Sequence, residues 1–287
     1  MEHVLEVLRA GGHGVAAFPT DGPESAGALA RERVAAGADL ILALGGDGTM
    51  NEVLPGVVRS EVPVGIIPAG TANVLARELG LGTKALHAAA RLGELTPRRV
   101  SIGLLRAEPE SRCRYFLLMA GVGFDAHIVY RLNLGLKSRM GELAYWTAAC
   151  GELGRKLDEF EVEVDGATRV CTFALVSRVR NYGGYLEIAR EVSLLDHEFE
   201  VVLFQGTSTL LDYGKYLVAI LSGNASNVQG VTFLSAKRVR FAAPPATRVY
   251  VQVDGEYAGR LPAAIEVVEE AITLLVPPGY PRLSSSS

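Results

Sequence analysis

Three short stretches carry residue types that could do chemistry. In "LILALGGDGTMNEVL" (40–54), Gly45, Gly46 and Gly48 surround Asp47, and Thr49 and Glu52 follow. Glycines at a strand-to-helix junction let the backbone approach a ligand closely, and the N–H groups of the new helix favour an anion. The run contains neither GxxxxGKS/T nor GxGxxG, so it is neither a Walker loop nor a dinucleotide fingerprint. The plain alternative is a tight turn with Thr49 as N-cap and Glu52 as its capping-box partner. That explains Thr49 and Glu52. It leaves unexplained an acid between glycines at the C-terminal end of a buried strand, where ligands bind in parallel sheets. One unit later, "GIIPAGTANVLARELGL" (65–81) repeats the pattern with Gly70, Thr71 and Asn73. Two such loops side by side could be bridged by a polyphosphate. The third stretch, "VQVDGEYAG" (251–259), sets Asp254 and Glu256 two residues apart. Asp-Gly between alternating apolar residues signals a hairpin turn, and "VEVDGATRV" (162–170) gives the same signal at Asp165 with no second acid. The local pattern leaves both readings of Asp254 open: a turn residue, or half of a carboxylate pair that moves a proton.

Periodicity predicts the elements that must position these residues. "GVAAFPT" (14–20) reads as a short strand. A helix follows from Pro23, with Ala26, Leu29, Ala30 and Val34 on one face and Gly37 at its end. "ADLILAL" (38–44) and "VPVGIIP" (62–68) read as strands of a parallel sheet, each followed by a glycine loop and a helix, the first helix starting at Thr49. A further helix spans about 84–92. This βαβα order argues for a doubly wound α/β half. Beyond about residue 98 the texture changes to short, often alternating β-rich runs such as "FEVEVDGATRVCTFALVSR", "KRVRFAA" and "AITLLVP", as in a sandwich. Helical stretches at about 139–158 and 207–222 interrupt it.

Composition excludes several classes. With a formal net charge of −4, the chain has no global attraction for nucleic acid, and no nucleic-acid partner is expected. Cys113, Cys150 and Cys171 are widely spaced, which fits buried thiols in a reducing compartment. The five histidines form no metal-ligand spacing. The acidic start "MEHVLEVLRAGGHG" does not read as a signal peptide, and no apolar run reaches the ~18 residues of a membrane span. "IVYRLNLGLKSRMGELAYW" (128–146) mixes Arg131, Lys137 and Arg139 with Val129, Leu132, Leu134, Leu136 and Met140, a texture able to touch anionic lipid. Its alternative is a loop leading into a core helix.

Together, "GGDGTMNEV", "PAGTANVLARELGL", "AGVGFDAHIV" (120–129), "YGGYLEIAREVSLLDHEFEVVLF" (182–204) and "VQVDGEYAGRLP" (251–262) closely resemble the diacylglycerol kinase catalytic-domain family. That family includes bacterial lipid kinases and sphingosine kinases, and the resemblance covers nearly the whole chain. It implies a nucleotide-binding doubly wound α/β domain followed by a β-sandwich-like domain, the architecture shared with NAD kinases. The corresponding boundaries are 1–98 and 99–277, with a tail at 278–287. It implies ATP and Mg²⁺ as cofactors. Gly45, Gly46, Gly48 and Thr49 would surround the phosphates, Asp47 would lie near Mg²⁺, and Glu52, Gly70, Thr71 and Asn73 would lie on the same nucleotide side. Asp254 matches the family's catalytic base and Glu256 the accompanying acid. Asp196 matches a position linked to a structural magnesium in some bacterial relatives; a solvated turn residue is its alternative.

The chain also departs from the family. Relatives begin with a strand and an Asn-Pro-x-Ser-Gly-type loop, whereas "MEHVLEVLRAGG" resembles the end of the helix that follows that loop. Val74 and Ser101 stand where relatives carry Asp, Arg178 where Asn is common, and Arg190 where Pro is frequent. The expected function is an ATP-dependent lipid kinase, cytoplasmic and transiently at the inner membrane face, with a membrane lipid as its partner. The alternatives are a truncated, non-catalytic nucleotide- or lipid-binding relative and an NAD kinase-like enzyme. A homodimer is compatible with the sequence. The lipid itself is left open among diacylglycerol, phosphatidylglycerol, a sphingoid base and a polyprenol-type alcohol.

Overall fold

The computed structural model of the chain describes residues 1–108, 113–123, 158–182, 186–187, 189, 191–205, 229–245 and 247–281. The expected membrane-touching segment 128–146, Cys150 and the helix at 207–222 lie outside these residues, as does the helix at 139–158 except for its last residue.

The first part runs α1 (Glu2–Ala10), α2 (Ser25–Ala35), β1 (Ile41–Gly45), α3 (Asp47–Val57), β2 (Pro63–Pro68), α4 (Val74–Glu78) and α5 (Ala85–Ala90), then a 3₁₀ turn at Leu92–Glu94. Strands follow: β3 (Thr96–Glu108), β4 (Cys113–Phe116), β5 (Met119–Gly123), β6 (Phe160–Val164), β7 (Ala167–Cys171) and β8 (Phe173–Ser177). After them come β9 (Asn181–Tyr182), β10 (Leu186–Glu187), β11 (Phe199–Phe204), β12 (Val231–Ala236), β13 (Arg238–Ala242), β14 (Tyr250–Val253) and β15 (Glu256–Val276).

β1 and β2 pair in parallel from Ile41↔Val64 to Gly45↔Pro68, so both glycine loops leave the same end of the pair. β2 then pairs in parallel with the far end of β15, at Thr273↔Pro63 and Leu274↔Val64. β15 is 21 residues long. It opens beside β14 in the Asp-Gly hairpin, runs antiparallel to β3 and β13, and ends against the α/β unit. One continuous strand therefore ties the acidic turn to the sheet that carries the glycine loops, within a 13-stranded sheet of the described residues.

Burial explains why the β-rich runs are so apolar. Val201 and Leu203 of β11 face an inner core with Phe116, Phe160, Val162, Phe199, Phe241 and Val251. Their neighbours Val202 and Phe204 face a second core, shared with Leu54, Ile67, Leu75 and Ile272 of the α/β side. Strands covered on both faces need apolar residues at every position.

Two local expectations fail. Residues 14–20 form no strand, because no described strand lies beside them to complete a ladder; Phe18 is exposed beneath the Arg33 guanidinium, 4.5 Å from its ring centre. And α3 begins at Asp47 instead of Thr49, because Gly46 takes the N-cap in an extended conformation (φ −98°, ψ −168°). Among the described residues no helix is long and apolar enough to cross a membrane.

The far end of α4 is anchored by a buried acid. The Glu78 side chain is 1% exposed. It accepts hydrogen bonds from Asn181 Nδ2 (3.0 Å), the Arg180 N–H (3.3 Å) and the Tyr280 hydroxyl (2.9 Å). Tyr280 lies in the stretch read as a tail, yet burial and the Glu78 charge push its hydroxyl well above the usual phenol range. Tyr280→Phe leaves the carboxylate one donor short, which should cost about 1–3 kcal/mol. Urea unfolding checks it; an unchanged midpoint would mean that Glu78 does not rely on that hydroxyl.

Candidate active site

The glycines of the first loop are explained by protein neighbours before any ligand is invoked. A Cβ on Gly45 would lie 2.2 Å from Thr49 Oγ1, so Thr49 folds back over the strand end instead of capping the helix. A Cβ on Gly70 would lie 2.6 Å from the Gly46 Cα, and one on Gly46 would lie 3.2 Å from the Gly70 Cα. The two loops thus touch backbone to backbone. A Cβ on Gly48 would stand 3.0 Å from Glu256 Oε1, which places the late acid directly over the loop.

Asp47 binds the loops together. Its Oδ2 accepts the Val74 N–H (2.9 Å) and its Oδ1 the Leu75 N–H (2.9 Å), so the first residue of α3 caps the N-terminus of α4. Asn73 sits in the left-handed region (φ 48°) and closes its own loop on Gly70: its Oδ1 accepts the Gly70 N–H (2.9 Å) and its Nδ2 donates to the Gly70 carbonyl (2.8 Å). α3 has no side-chain cap, leaving the N–H groups of its first turn for an anion. Gly70 and Thr71 form the exposed lip of the second loop. Glu52 sits one turn further along α3 with its backbone carbonyl facing Gly27 of α2, and no hydrogen bond joins its side chain to either loop. With the helix starting at Asp47, the capping-box spacing for Glu52 no longer exists.

The Asp-Gly turns are conformational twins. Asp254 (φ 47°) and Gly255 (φ 82°) match Asp165 (φ 50°) and Gly166 (φ 79°), positive at both central positions as a type I′ hairpin requires. Their side chains differ. Asp165 is exposed at a sheet edge. Asp254 turns its carboxylate inward: Oδ1 accepts the N–H groups of Leu118 (3.1 Å) and Met119 (2.8 Å), and Oδ2 that of Leu117 (3.0 Å). Buried Gln252 braces the turn by accepting the Gly255 N–H (2.9 Å). Desolvation pushes the Asp254 pKa up to about 7, the nearby Asp47 charge adds to the rise, and the three N–H groups oppose it. Beside it, Glu256 Oε2 pairs with Arg114 Nη2 (3.2 Å), and Arg114 Nη1 donates to the Tyr257 carbonyl (2.7 Å).

Gly45, Gly46, Asp47, Gly48, Thr49, Gly70, Thr71, Asn73, Asp254 and Glu256 thus gather around one region. Asp196 belongs to a different cluster. It is buried at 2% exposure, so it is no solvated turn residue, and its Oδ2 accepts the Ser193 N–H (2.8 Å). The wholly buried Arg178 donates through Nη2 to the carbonyls of Leu194 (2.9 Å) and Asp196 (2.8 Å). Burial lowers the Arg178 pKa to about 10, and the Asp196 charge opposes that fall, so the guanidinium stays charged at neutral pH. A cation thus already serves the main chain of this loop. Among the described residues no group of three His, Cys, Asp or Glu side chains could hold a metal. Asp47 keeps one lone pair on each oxygen, which suits a Mg²⁺ whose other ligands are phosphate oxygens and water.

Arg114, Glu78 and the N–H groups of 117–119 escaped sequence reasoning. "CRYF" reads only as a strand, and nothing local signals that Arg114 faces an acid some 140 positions later, at Glu256.

Two family models match successive parts of the chain. Residues 1–105 match the diacylglycerol kinase catalytic domain, and residues 119–276 match the YegS C-terminal NAD kinase beta sandwich-like domain. The chain is 28% identical over 284 residues to a diacylglycerol kinase of Bacillus subtilis, covering 96% of this chain and 90% of that one. It is 32% identical over 251 residues to a diacylglycerol kinase of Mycobacterium tuberculosis, covering 85% and 79%. Its fold matches the solved structure of a diacylglycerol kinase from Bacillus anthracis str. Sterne with a TM-score of 0.74 at 22% identity, over 96% of this chain and 91% of that one.

Two outcomes are expected. The folded state holds the Asp254 proton up to about pH 7, whereas an unfolded aspartate releases it near about pH 4. The folded state therefore binds the extra proton in that window, and stability falls as pH rises through it. Asp254→Asn lacks this term, so its melting temperature should gain on that of the native protein between about pH 4 and about pH 7. A pH-independent difference would contradict a desolvated carboxyl. Secondly, EDTA should leave the melting temperature of the nucleotide-free protein unchanged, while Arg178→Met should cost about 1–3 kcal/mol for each of the Leu194 and Asp196 carbonyls it leaves without a donor. A Mg²⁺-dependent rise that Asp196→Asn abolishes would place a metal there after all.

Proposed function

Because the chain belongs to the diacylglycerol kinase catalytic-domain family, we propose that it is an ATP-dependent lipid kinase that transfers the γ-phosphate to the hydroxyl of diacylglycerol or a related lipid. The observation that carries this reading is the placement of the Asp254 carboxylate, held by three main-chain N–H groups and near enough to Asp47 to feel its charge, beside two glycine loops that touch each other.

The first-turn N–H groups of α3 and the Gly70–Thr71 lip receive the phosphates, and Asp47 fixes their separation by bonding α4 to α3. Asp254 acts as the general base. A pKa near the working pH suits a group that must be free of its proton before the reaction and still able to take one during it. Of the four lone-pair positions on its carboxylate, the N–H groups of 117–119 fill two on Oδ1 and one on Oδ2. One position on Oδ2 remains for the lipid hydroxyl. The hairpin turn is thereby part of the mechanism, because it holds that lone pair at a fixed angle. When bound, Mg²⁺ would neutralise phosphate charge, and Asp47 is the residue suited to hold it. The lipid is reached by peripheral contact, for which the basic, apolar segment 128–146 is the candidate in the sequence.

Incubation with γ-labelled ATP, Mg²⁺ and a panel of diacylglycerol, phosphatidylglycerol, a sphingoid base, a polyprenol and NAD tests the proposal. One lipid should take up label, with the rate rising through about pH 7. Asp254→Asn should lower turnover by at least about 100-fold, and Asp165→Asn should leave it intact. Labelling of NAD alone, or equal effects of the two substitutions, would contradict the reading.

A further inference from the structure

Three carboxylates crowd the region described above. Asp47 faces the first turn of α4, Asp254 the backbone of 117–119, and Glu256 the loop at Gly48. Neither "GGDGTMNEV" nor "PAGTANV" contains a lysine or an arginine, and Arg77, the first basic residue after the second, donates through Nε to the Ala72 carbonyl of that loop (2.9 Å). A nucleoside triphosphate carries about four negative charges, and a divalent ion cancels only part of the repulsion between them and three acids.

Among the described residues, the cationic side chain bonded to any of these carboxylates is Arg114. It stands on β4, opposite Leu105 of β3. Its guanidinium is pinned at two points, the Tyr257 carbonyl and the Glu256 carboxylate, which fixes the plane of the fork. Two of its five N–H donors are used and three remain. Its side chain is 32% exposed, so those donors are not sealed in protein. An ordinary surface ion pair is loosely held and worth little. The added bond to a main-chain carbonyl gives this guanidinium a second anchor beside Glu256. A planar, preorganised fork with free donors beside a phosphate loop is suited to recognise phosphate oxygens.

We propose that Arg114 is a phosphate-binding residue that meets the terminal phosphoryl group of the nucleotide, filling the role left open by the absence of a loop lysine. Glu256 is then its positioning partner, aiming the fork toward Gly48. The proposal rests on the kinase reading.

Calorimetric titration with ATP and with ADP, in Mg²⁺, tests it on the native protein, Arg114→Lys and Arg114→Met, with melting curves to verify folding. Arg114→Met should bind ATP about tenfold more weakly or worse while ADP affinity changes less than about twofold, and Arg114→Lys should keep part of the preference. The preference for ATP over ADP is a readout that a merely structural role would not move. Parallel losses for both nucleotides, or no loss, would overturn the role of Arg114 and leave the kinase reading standing. Failure of the native protein to bind either nucleotide would overturn both.

Discussion

The carboxylate of Asp47 is bonded to a helix other than its own, and the site depends on that one connection. A short helix such as α4, spanning Val74–Glu78, has little intrinsic stability, and its first N–H groups need a partner. Asp47 supplies it from the start of α3, drawing the second glycine loop onto the first until Gly46 and Gly70 meet. At the other end of α4, Glu78 is held by Asn181, Arg180 and Tyr280. The helix is thus clamped at both ends by groups distant in sequence, and the Gly70–Thr71 lip before it inherits that rigidity.

Electrostatics then distinguishes three acids of similar chemistry. Asp47 spends its charge on a helix terminus, Glu256 meets a guanidinium, and Asp254 is desolvated with main-chain N–H groups as its support. Burial and the Asp47 charge together outweigh those N–H groups, which leaves Asp254 the acid poised to exchange a proton near neutrality. The residues are linked mechanically as well, since β15 starts at Glu256 and ends beside β2.

Most of the architecture was legible in the sequence because it depends on periodicity. The β1–α3–β2 unit, the β-rich remainder and both Asp-Gly hairpins follow from residue spacing that any short window displays. What was not legible depends on contacts across the chain. The strand at 14–20 has the right composition, but a strand exists only beside another. The glycines of "GGDG" read as room for a ligand; Gly45 also makes room for Thr49 and Gly46 for Gly70, a requirement visible only once the loops are side by side. Asp196 reads locally as a metal position or a solvated turn residue; its burial, and the buried Arg178 that donates to its main-chain carbonyl, are visible only in the fold. Asp254 and Asp165 remained indistinguishable locally, and their difference lies in what the fold brings to the carboxylate.

The central claim is that loop-to-loop contact builds one nucleotide site, and Gly70→Ala addresses it most directly. The added methyl would stand 2.6 Å from the Gly46 Cα and 3.0 Å from Asn73 Oδ1, which must push the loops apart with no direct contact to Asp47, Asp254 or Glu256. Calorimetric titration of the folded variant with ATP should give an affinity at least about tenfold below that of the native protein. An unchanged affinity would show that the nucleotide does not need the two loops to meet, and would contradict the account.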